Sequence, residues 1–252
     1  MENNDFNFVD FGEDGQMDRR RQLIKIMKES PIPENELLLN TGLFLVPQTL
    51  SRIMFLEHVY KQILDVQGVI IDFGTRWGQN MSLFSAFRGI FEPFNRVRKI
   101  VGFDTFSGFV DVHEKDSTAA MMKKGSYSVT PNYEKQLASI MAIQEQESPL
   151  SHIKKHEIVK GDASEAFKKY LERHPETIVA MAYFDFDLYE PTKECLLQLK
   201  GHLTKGSILC FDELNDEICP GETVALKEVL GLSQYAIKRF PYNSRVSYLV
   251  IE

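Results

Sequence analysis

From residue 69 onward, short apolar runs alternate with amphipathic segments of helical period, and few folds accommodate such an alternation. Five of the runs are rich in β-branched residues, and each ends at a turn. Strands that alternate with helices build βαβ units, which form a mostly parallel sheet with helices on both faces. The predicted strands are VIIDF (69–73), RKIVGFDTF (98–106), HEIVKGDA (156–163), TIVAMAYFDFD (177–187) and KGSILCFDE (205–213).

Two further strands are predicted near the end of the sequence, in YAIKRF (235–240) and SYLVIE (247–252), with no helix between them. They are expected to form an antiparallel edge of an α/β sheet of seven strands. Upstream, residues 1–16 are predicted to be a flexible acidic arm, and residues 17–67 an N-terminal helical cap with helices in 17–29 and 47–66. Residues 68–252 are then the core.

A long segment, residues 107–150, interrupts the alternation and contains one predicted helix at 132–147. Connections of this length within a compact domain are usually functional, and active-site lids are a common case. The segment is therefore predicted to be a lid, with a plain surface insertion as the alternative.

Composition excludes some classes of function. The net charge of −7 and the pI near 5.5 argue against nucleic acid as a partner, since phosphate binding favours a basic surface. Three cysteines without a CxxC pattern predict neither a disulfide framework nor a thiolate zinc site. No apolar run reaches the roughly 18 residues of a membrane span, and no signal peptide is recognised, so a cytoplasmic protein is expected.

The first strand runs into the glycine-containing turn DFGTRWGQN (72–80). Glycine allows the backbone to approach a ligand closely, although Gly74 and Gly78 alone are a weak signal and can simply shape the turn. Asp104 follows the second strand, where nucleotide-binding α/β domains place an acid for ribose hydroxyls. Turn and acid together favour a ligand that contains adenosine.

Acidic residues end the fourth and fifth strands, in FDFDLY (184–189) and FDEL (211–214). Carboxyl ends of parallel strands meet at one edge of a sheet, so Asp185, Asp187, Asp212 and Glu213 are expected to converge. Carboxylate oxygens are the ligands that Mg²⁺ prefers. The alternatives are helix caps or ion pairs with lysine and arginine, and Asp187 in particular is a candidate cap for the helix that follows.

Six motifs follow one another along the chain: LLNTGLF (38–44), VIIDFGTRWGQN (69–80), IVGFDTFSGF (100–109), KGDASEAF (160–167), FDFDLYEPT (184–192) and ILCFDEL (208–214). In this order they resemble the class I S-adenosylmethionine-dependent methyltransferases, and more narrowly the macrocin O-methyltransferase type, which methylates sugar hydroxyls in natural-product pathways. The resemblance implies a Rossmann-like methyltransferase fold with S-adenosylmethionine and Mg²⁺ as cofactors. Donor-binding residues by this resemblance are Thr41, Gly74, Thr75, Arg76, Trp77, Gly78, Asp104, Thr105, Phe106, Asp162, Ala163 and Asp185.

The same resemblance implies a metal held by Asp185, Asp212 and Glu213, with Asp187 as the general base. Glu213 departs from the two aspartates that are usual in the family. His113, in the predicted lid, is the second candidate for the base. A bound cation would lower the pKa of a sugar hydroxyl, a carboxylate would accept its proton, and the lid would exclude water.

Three other functions fit some of these features. They are a catechol-type O-methyltransferase of an aromatic diol, a nicotinamide oxidoreductase, and a non-catalytic binding protein on the same fold. The oxidoreductase is disfavoured because GxGxxG is absent. The expected partner is a neutral or cationic glycosylated small molecule from secondary-metabolite or glycan biosynthesis, with no nucleic acid or membrane partner. A homodimer or higher homo-oligomer is expected from the apolar N-terminal helices.

Overall fold

The computed structural model of the protein describes residues 13–252, so most of the predicted acidic arm lies outside the described residues. The chain divides into two compact units, Met1–Ile53 and Met54–Glu252. In the first unit, α1 (Gln16–Lys28) and α2 (Glu34–Leu37) precede a 3-10 helix over Leu38–Phe44. Thr41 lies in this 3-10 helix, where its Oγ1 donates to the carbonyl oxygen of Leu38 at 3.2 Å.

Helix α3 (Pro47–Gln62) contains the division between the two units. The predicted helices at 17–29 and 47–66 are therefore present as α1 and α3. Within the second unit, Phe55 of α3 is fully buried, and its ring packs against those of Tyr183, Phe240 and Tyr248. Among residues 13–252, no helix is both long enough and apolar enough to cross a membrane.

The second unit contains a seven-stranded sheet in the order β3-β2-β1-β4-β5-β7-β6. The first five strands in this order run parallel, β7 pairs antiparallel with β5, and β6 pairs antiparallel with β7. The predicted mixed sheet with an antiparallel edge is confirmed. The strands are β1 (Val69–Phe73), β2 (Ile100–Asp104), β3 (His156–Lys160), β4 (Val179–Phe184), β5 (Leu203–Phe211), β6 (Lys238–Phe240) and β7 (Asn243–Val250).

Five helices connect the strands, and four of them correspond to the segments of helical period that alternate with the predicted strands. The fifth, α5, belongs to the long insertion and confirms the helix predicted at 132–147. The five are α4 (Gln79–Phe91), α5 (Tyr133–Gln146), α6 (Ala163–Arg173), α7 (Tyr189–Leu199) and α8 (Gly221–Val229).

The strand order reverses at β1, which pairs with β2 on one side and β4 on the other. In open α/β sheets, ligands bind beyond the carboxyl ends of the strands at such a reversal. The loops that follow β1, β2, β4 and β5 all leave this edge, because these strands are parallel. The fold therefore places the glycine turn, Asp104 and the predicted acids around one crevice.

Candidate active site

The turn between β1 and α4 requires glycine at both of its predicted positions. Gly74 and Gly78 have φ angles of 81° and 77°, in the left-handed region that other residues rarely adopt. A Cβ added at Gly74 would clash with the carbonyl oxygen of Asp185, and one at Gly78 with the side chain of Leu137. The turn therefore lies directly against the end of β4 and against α5.

Asp104, at the end of β2, fixes the conformation of this turn. One carboxylate oxygen accepts from the backbone N–H of Arg76 at 2.7 Å, and the other accepts from that of Phe106 at 2.5 Å. Burial raises the pKa of Asp104, while these two hydrogen bonds oppose the increase. Asp104 thus links the β1 turn to the start of the insertion.

Thr75 and Trp77 lie on either side of Arg76 in the same turn. Thr75 is buried, and its Oγ1 donates to the carbonyl oxygen of Asp72 at 3.0 Å. The Trp77 side chain is exposed, and its ring meets that of Tyr133 edge to face at 4.7 Å between centroids. The turn is therefore rigid at Thr75 and presents an aromatic surface at Trp77.

Two further turns at the same edge of the sheet contain predicted donor-binding residues. After β2, the Thr105 hydroxyl donates to the carbonyl oxygen of Gly108 at 2.7 Å. After β3, Asp162 is the N-cap of α6 and accepts from the Ser164 N–H at 3.0 Å, while Ala163 is buried. Each polar side chain stabilises its own turn, so the backbone of both turns is held at the crevice.

The structure brings together three buried side chains beyond β4 and β5. Ligand atoms of Asp187, Glu213 and Cys219 all lie within 4.8 Å of one another. Asp187 was predicted as the base and Glu213 as a metal ligand, whereas Cys219 was not predicted. One acid from each strand end, Asp187 and Glu213, is therefore brought together, whereas Asp185 and Asp212 do not belong to this group.

Asp187 has a strained conformation, with φ of 59° at a residue that is not glycine. It does not cap α7, because the N-cap is Leu188 and no side chain of the cap residue contributes a hydrogen bond. Burial, and then the charge of Asp212, raises the pKa of Asp187 to about 7, while Arg245 and Arg76 oppose the increase. A carboxyl with this pKa exchanges a proton readily near neutral pH.

Arg245, on β7, lies beside the acids that follow β5. Its guanidinium contacts Glu213 Oε1 and lies 3.5 Å from Asp212 Oδ2. Tyr183 donates to the other oxygen of Asp212 at 2.7 Å. Glu213 Oε2 is buried and has no hydrogen-bond partner among the described residues. A buried carboxylate oxygen in this state is a natural ligand for a cation.

Mg²⁺ would suit this set of donors because the available charges are on oxygen. Asp185 directly follows β4 and is partly exposed, and its backbone N–H donates to the carbonyl oxygen of Phe73 at 3.0 Å. Burial raises the pKa of the Cys219 thiol well above its usual range, so this sulfur is a neutral and weak ligand. Hard cations prefer carboxylates to thiols, so the acids rather than the thiol would hold such an ion.

Comparisons with solved structures identify the family. CalS11, a calicheamicin methyltransferase, is 38% identical with a TM-score of 0.93, and the match covers 95% of this chain and 93% of CalS11. A second structure of CalS11, a TDP-rhamnose 3'-O-methyltransferase, matches at 36% identity with a TM-score of 0.85 over 96% of each chain. The chain belongs to the class I S-adenosylmethionine-dependent methyltransferases.

This methyltransferase also matches the O-methyltransferase NovP, at 15% identity and a TM-score of 0.60 over 93% of this chain and 98% of NovP, which supports the fold alone. No protein-family model and no curated protein matches the chain. The family resemblance read from the sequence motifs is confirmed, and the protein is an S-adenosylmethionine-dependent O-methyltransferase. The match therefore contradicts the nicotinamide oxidoreductase alternative.

The insertion of the methyltransferase packs against the acids. Met122, from the insertion, forms a small apolar cluster with Leu188 and Cys219. The Arg76 guanidinium lies over the ring of Tyr127 at 5.0 Å, and burial followed by the charge of Asp187 raises the pKa of Tyr127. The part of the insertion before α5 therefore contacts both the glycine turn and the acid turn.

His113 lies in the insertion beside α7. Its ring packs against that of Tyr189 at 4.8 Å between centroids, and its Nδ1 accepts from the backbone N–H of Lys115 at 3.1 Å. One ring nitrogen is thus used within its own turn, while Asp187 lies within the acid group. Of the two predicted candidates for the base, Asp187 has the better-placed side chain.

Sequence reasoning missed several residues at this site. Cys219 and Arg245 contact or adjoin the acids, and Tyr127 faces Asp187 from the insertion. Cys219 and Tyr127 lie in loops without a periodic pattern, so the sequence offered no signal for them. Arg245 did have a signal, because an antiparallel strand beside β5 must place some residue opposite Glu213.

Proposed function

We propose that this O-methyltransferase transfers the methyl group of S-adenosylmethionine to a hydroxyl of a sugar, in an Mg²⁺-dependent reaction, within secondary-metabolite or glycan biosynthesis. The observation that carries the proposal is the nearly full-length match to CalS11, a TDP-rhamnose 3'-O-methyltransferase. The acceptor is accordingly a nucleotide-linked sugar or a glycosylated small molecule.

Donor binding is assigned to the turn that follows β1 and to Asp104. S-adenosylmethionine supplies an activated methyl group, so the protein has to bind, orient and exclude water. Gly74 and Gly78 give this turn a left-handed backbone that packs against Asp185 and Leu137, and this conformation sets the shape of the donor site. Asp104 orients the same turn through the Arg76 N–H, which couples the shape of the donor site to the end of β2.

The metal is assigned to Asp185, Asp212 and Glu213. The support is the partnerless Glu213 Oε2 and the positions of all three residues at the ends of neighbouring strands. When bound, Mg²⁺ would lower the pKa of the acceptor hydroxyl and stabilise the developing alkoxide charge. Arg245 partly neutralises the acids, so an anionic nucleotide sugar is compatible with the site despite the expected preference for a neutral or cationic acceptor.

Asp187 is assigned as the general base that accepts the hydroxyl proton during methyl transfer. Its side chain is only 7% exposed, and its pKa of about 7 suits proton transfer near neutral pH. The part of the insertion that contacts the acid turn would keep water away from this proton transfer.

A panel of acceptors tests the proposal. The purified protein is incubated with S-adenosylmethionine and Mg²⁺, and the demethylated donor is quantified for nucleotide-linked sugars, glycosylated natural products and catechols. We expect turnover with at least one sugar acceptor and none with catechols. Turnover confined to catechols would identify the alternative, a catechol-type enzyme, and would refute the sugar assignment.

A further inference from the structure

Two buried carboxylates outside the predicted metal and base set hold the turn that contains Asp187. Glu222, at the start of α8, is 0% exposed, and its Oε1 accepts from the Phe186 N–H at 3.0 Å. Asp116, in the insertion, is 7% exposed, and its Oδ1 accepts from the Tyr189 N–H at 2.7 Å. The two acceptors therefore hold the backbone immediately before Asp187 and two residues after it.

Asp116 also ties this turn to the insertion. Its second oxygen accepts from the His113 N–H at 2.8 Å, so one carboxylate bridges the insertion and the first residue of α7. Gly221 makes the bridge possible, because a Cβ there would clash with Asp116 Oδ1 and with the backbone nitrogen of Tyr189. At the start of α8, Gly221 therefore leaves room for Asp116, and the neighbouring Glu222 accepts from the Phe186 N–H.

The conformation of Asp187 explains why such contacts are needed. A left-handed backbone at a residue other than glycine costs about 1–3 kcal/mol, and it persists only where its surroundings impose it. Leu188, the N-cap residue of α7, supplies no side-chain cap, so the Tyr189 N–H depends on Asp116 for a partner. The two carboxylates take the place of local capping and fix the direction of the Asp187 side chain.

We propose that Asp116 and Glu222 are positioning residues that hold Asp187 in its reactive orientation, and that the insertion sets the geometry of the base through Asp116. This inference rests on the proposed role of Asp187 as the base. The insertion then positions the side chain of Asp187 through Asp116, in addition to excluding water.

The test uses pairs of variants of the full-length protein. Glu222→Met preserves volume but removes the acceptor, while Glu222→Gln retains an oxygen for the Phe186 N–H. Asp116→Ala removes both acceptors of the bridge. The matched controls are Glu217→Ala, in the loop before α8, and Glu114→Ala, in the same turn of the insertion, since both residues are exposed.

We expect Glu222→Met and Asp116→Ala each to lower kcat by about ten- to a hundred-fold, because a misplaced reacting group costs rates of this order. KM for the acceptor and the calorimetric Kd for the donor product should stay within about two-fold. Glu222→Gln and both controls should retain kcat within about three-fold. This split between kcat and binding separates positioning from a general loss of structure.

Asp187→Asn, measured alongside, separates the two proposals. If Asp187→Asn is inactive while Glu222→Met and Asp116→Ala keep the kcat of the unaltered protein, the positioning role is refuted and the base assignment stands. If Asp187→Asn is fully active, the base assignment itself fails. A parallel loss of donor binding and kcat in both variants, or a Glu222→Gln variant as impaired as Glu222→Met, would reduce Asp116 and Glu222 to structural residues and overturn the inference.

Discussion

Replacing Glu145 by glutamine should destabilise the protein strongly, because Glu145 is the buried acceptor of an ionic network. Its Oε1 lies 2.6 Å from Arg88 Nη2 and 2.9 Å from Lys155 Nζ, and its Oε2 lies 3.1 Å from His156 Nδ1. The network joins the end of α5 to α4 and to the segment that enters β3. Glutamine preserves the shape but leaves the positive charges of Arg88 and Lys155 buried without compensation.

The magnitude follows from the pKa of Glu145. Burial alone would raise it, but hydrogen bonds from His156 and Lys155 and the charge of Arg88 outweigh burial and lower it from 4.5 to about 2. The difference between the ordinary pKa of 4.5 and the folded-state pKa of about 2 corresponds to about 3 kcal/mol in the free energy of unfolding. Because the folded-state pKa is the lower one, this stability is fully present above pH 4.5 and is lost as the pH falls toward 2. Removal of one partner of a buried ion pair typically costs about 3–5 kcal/mol, which agrees.

The assay is urea-induced unfolding of Glu145→Gln beside the unaltered protein and the exposed control Glu147→Gln. We expect a loss of about 3 kcal/mol in the free energy of unfolding at neutral pH, a smaller difference in acid, and no effect in the control. Two results would refute the claim that ionised Glu145 stabilises the fold. One is a loss below about 0.5 kcal/mol at neutral pH, and the other is a stability difference between variant and unaltered protein that does not shrink in acid.

Three further predictions concern the site. Excess chelator should abolish turnover and Mg²⁺ restore it, with donor binding unchanged by calorimetry; full activity in chelator would remove the metal from the proposed reaction. Turnover should fall in acid with a midpoint at or below pH 7, because the pKa of Asp187 is about 7 and a bound cation only lowers it; a pH-independent kcat would contradict the base assignment. Gly74→Ala should weaken donor binding at least about ten-fold through its clash with Asp185, whereas Gly201→Ala, which meets nothing within 4 Å, should not.

The sequence was sufficient to predict the sheet, its antiparallel edge and the approach of Asp187 to Glu213. These features depend on local periodicity and on the geometric fact that parallel strands end at one edge. Asp187 and Glu213 are 26 positions apart in the chain, yet they meet because β4 and β5 are neighbours. Predictions of this kind succeed because they need only the order of the strands.

The residues that the sequence did not reveal come from other kinds of contact. Asp116 reaches Tyr189 through an insertion without regular periodicity, so no pattern connects the two. Arg245 follows from the register of the antiparallel pair. Phe211, the last residue of β5, lies opposite Ser247, and Glu213, two residues after Phe211, meets Arg245, two residues before Ser247. That register depends on the length of the β6–β7 turn and the packing of β7, which hydrophobic alternation alone does not determine.

The acids at the strand ends gain their reactivity from the apolar layer beneath them. Four phenylalanines pair in register across β2, β1, β4 and β5, with ring centroids 5.0–5.5 Å apart. Each is followed by a residue of the site: Phe103 by Asp104, Phe73 by Gly74, Phe184 by Asp185 and Phe211 by Asp212. An aromatic layer that excludes water raises the cost of each carboxylate charge above it. Such crowded charge is stabilised by a bound cation or by uptake of a proton at one carboxyl. The proposed reaction assigns the first role to the metal and the second, at the moment of hydroxyl proton transfer, to Asp187.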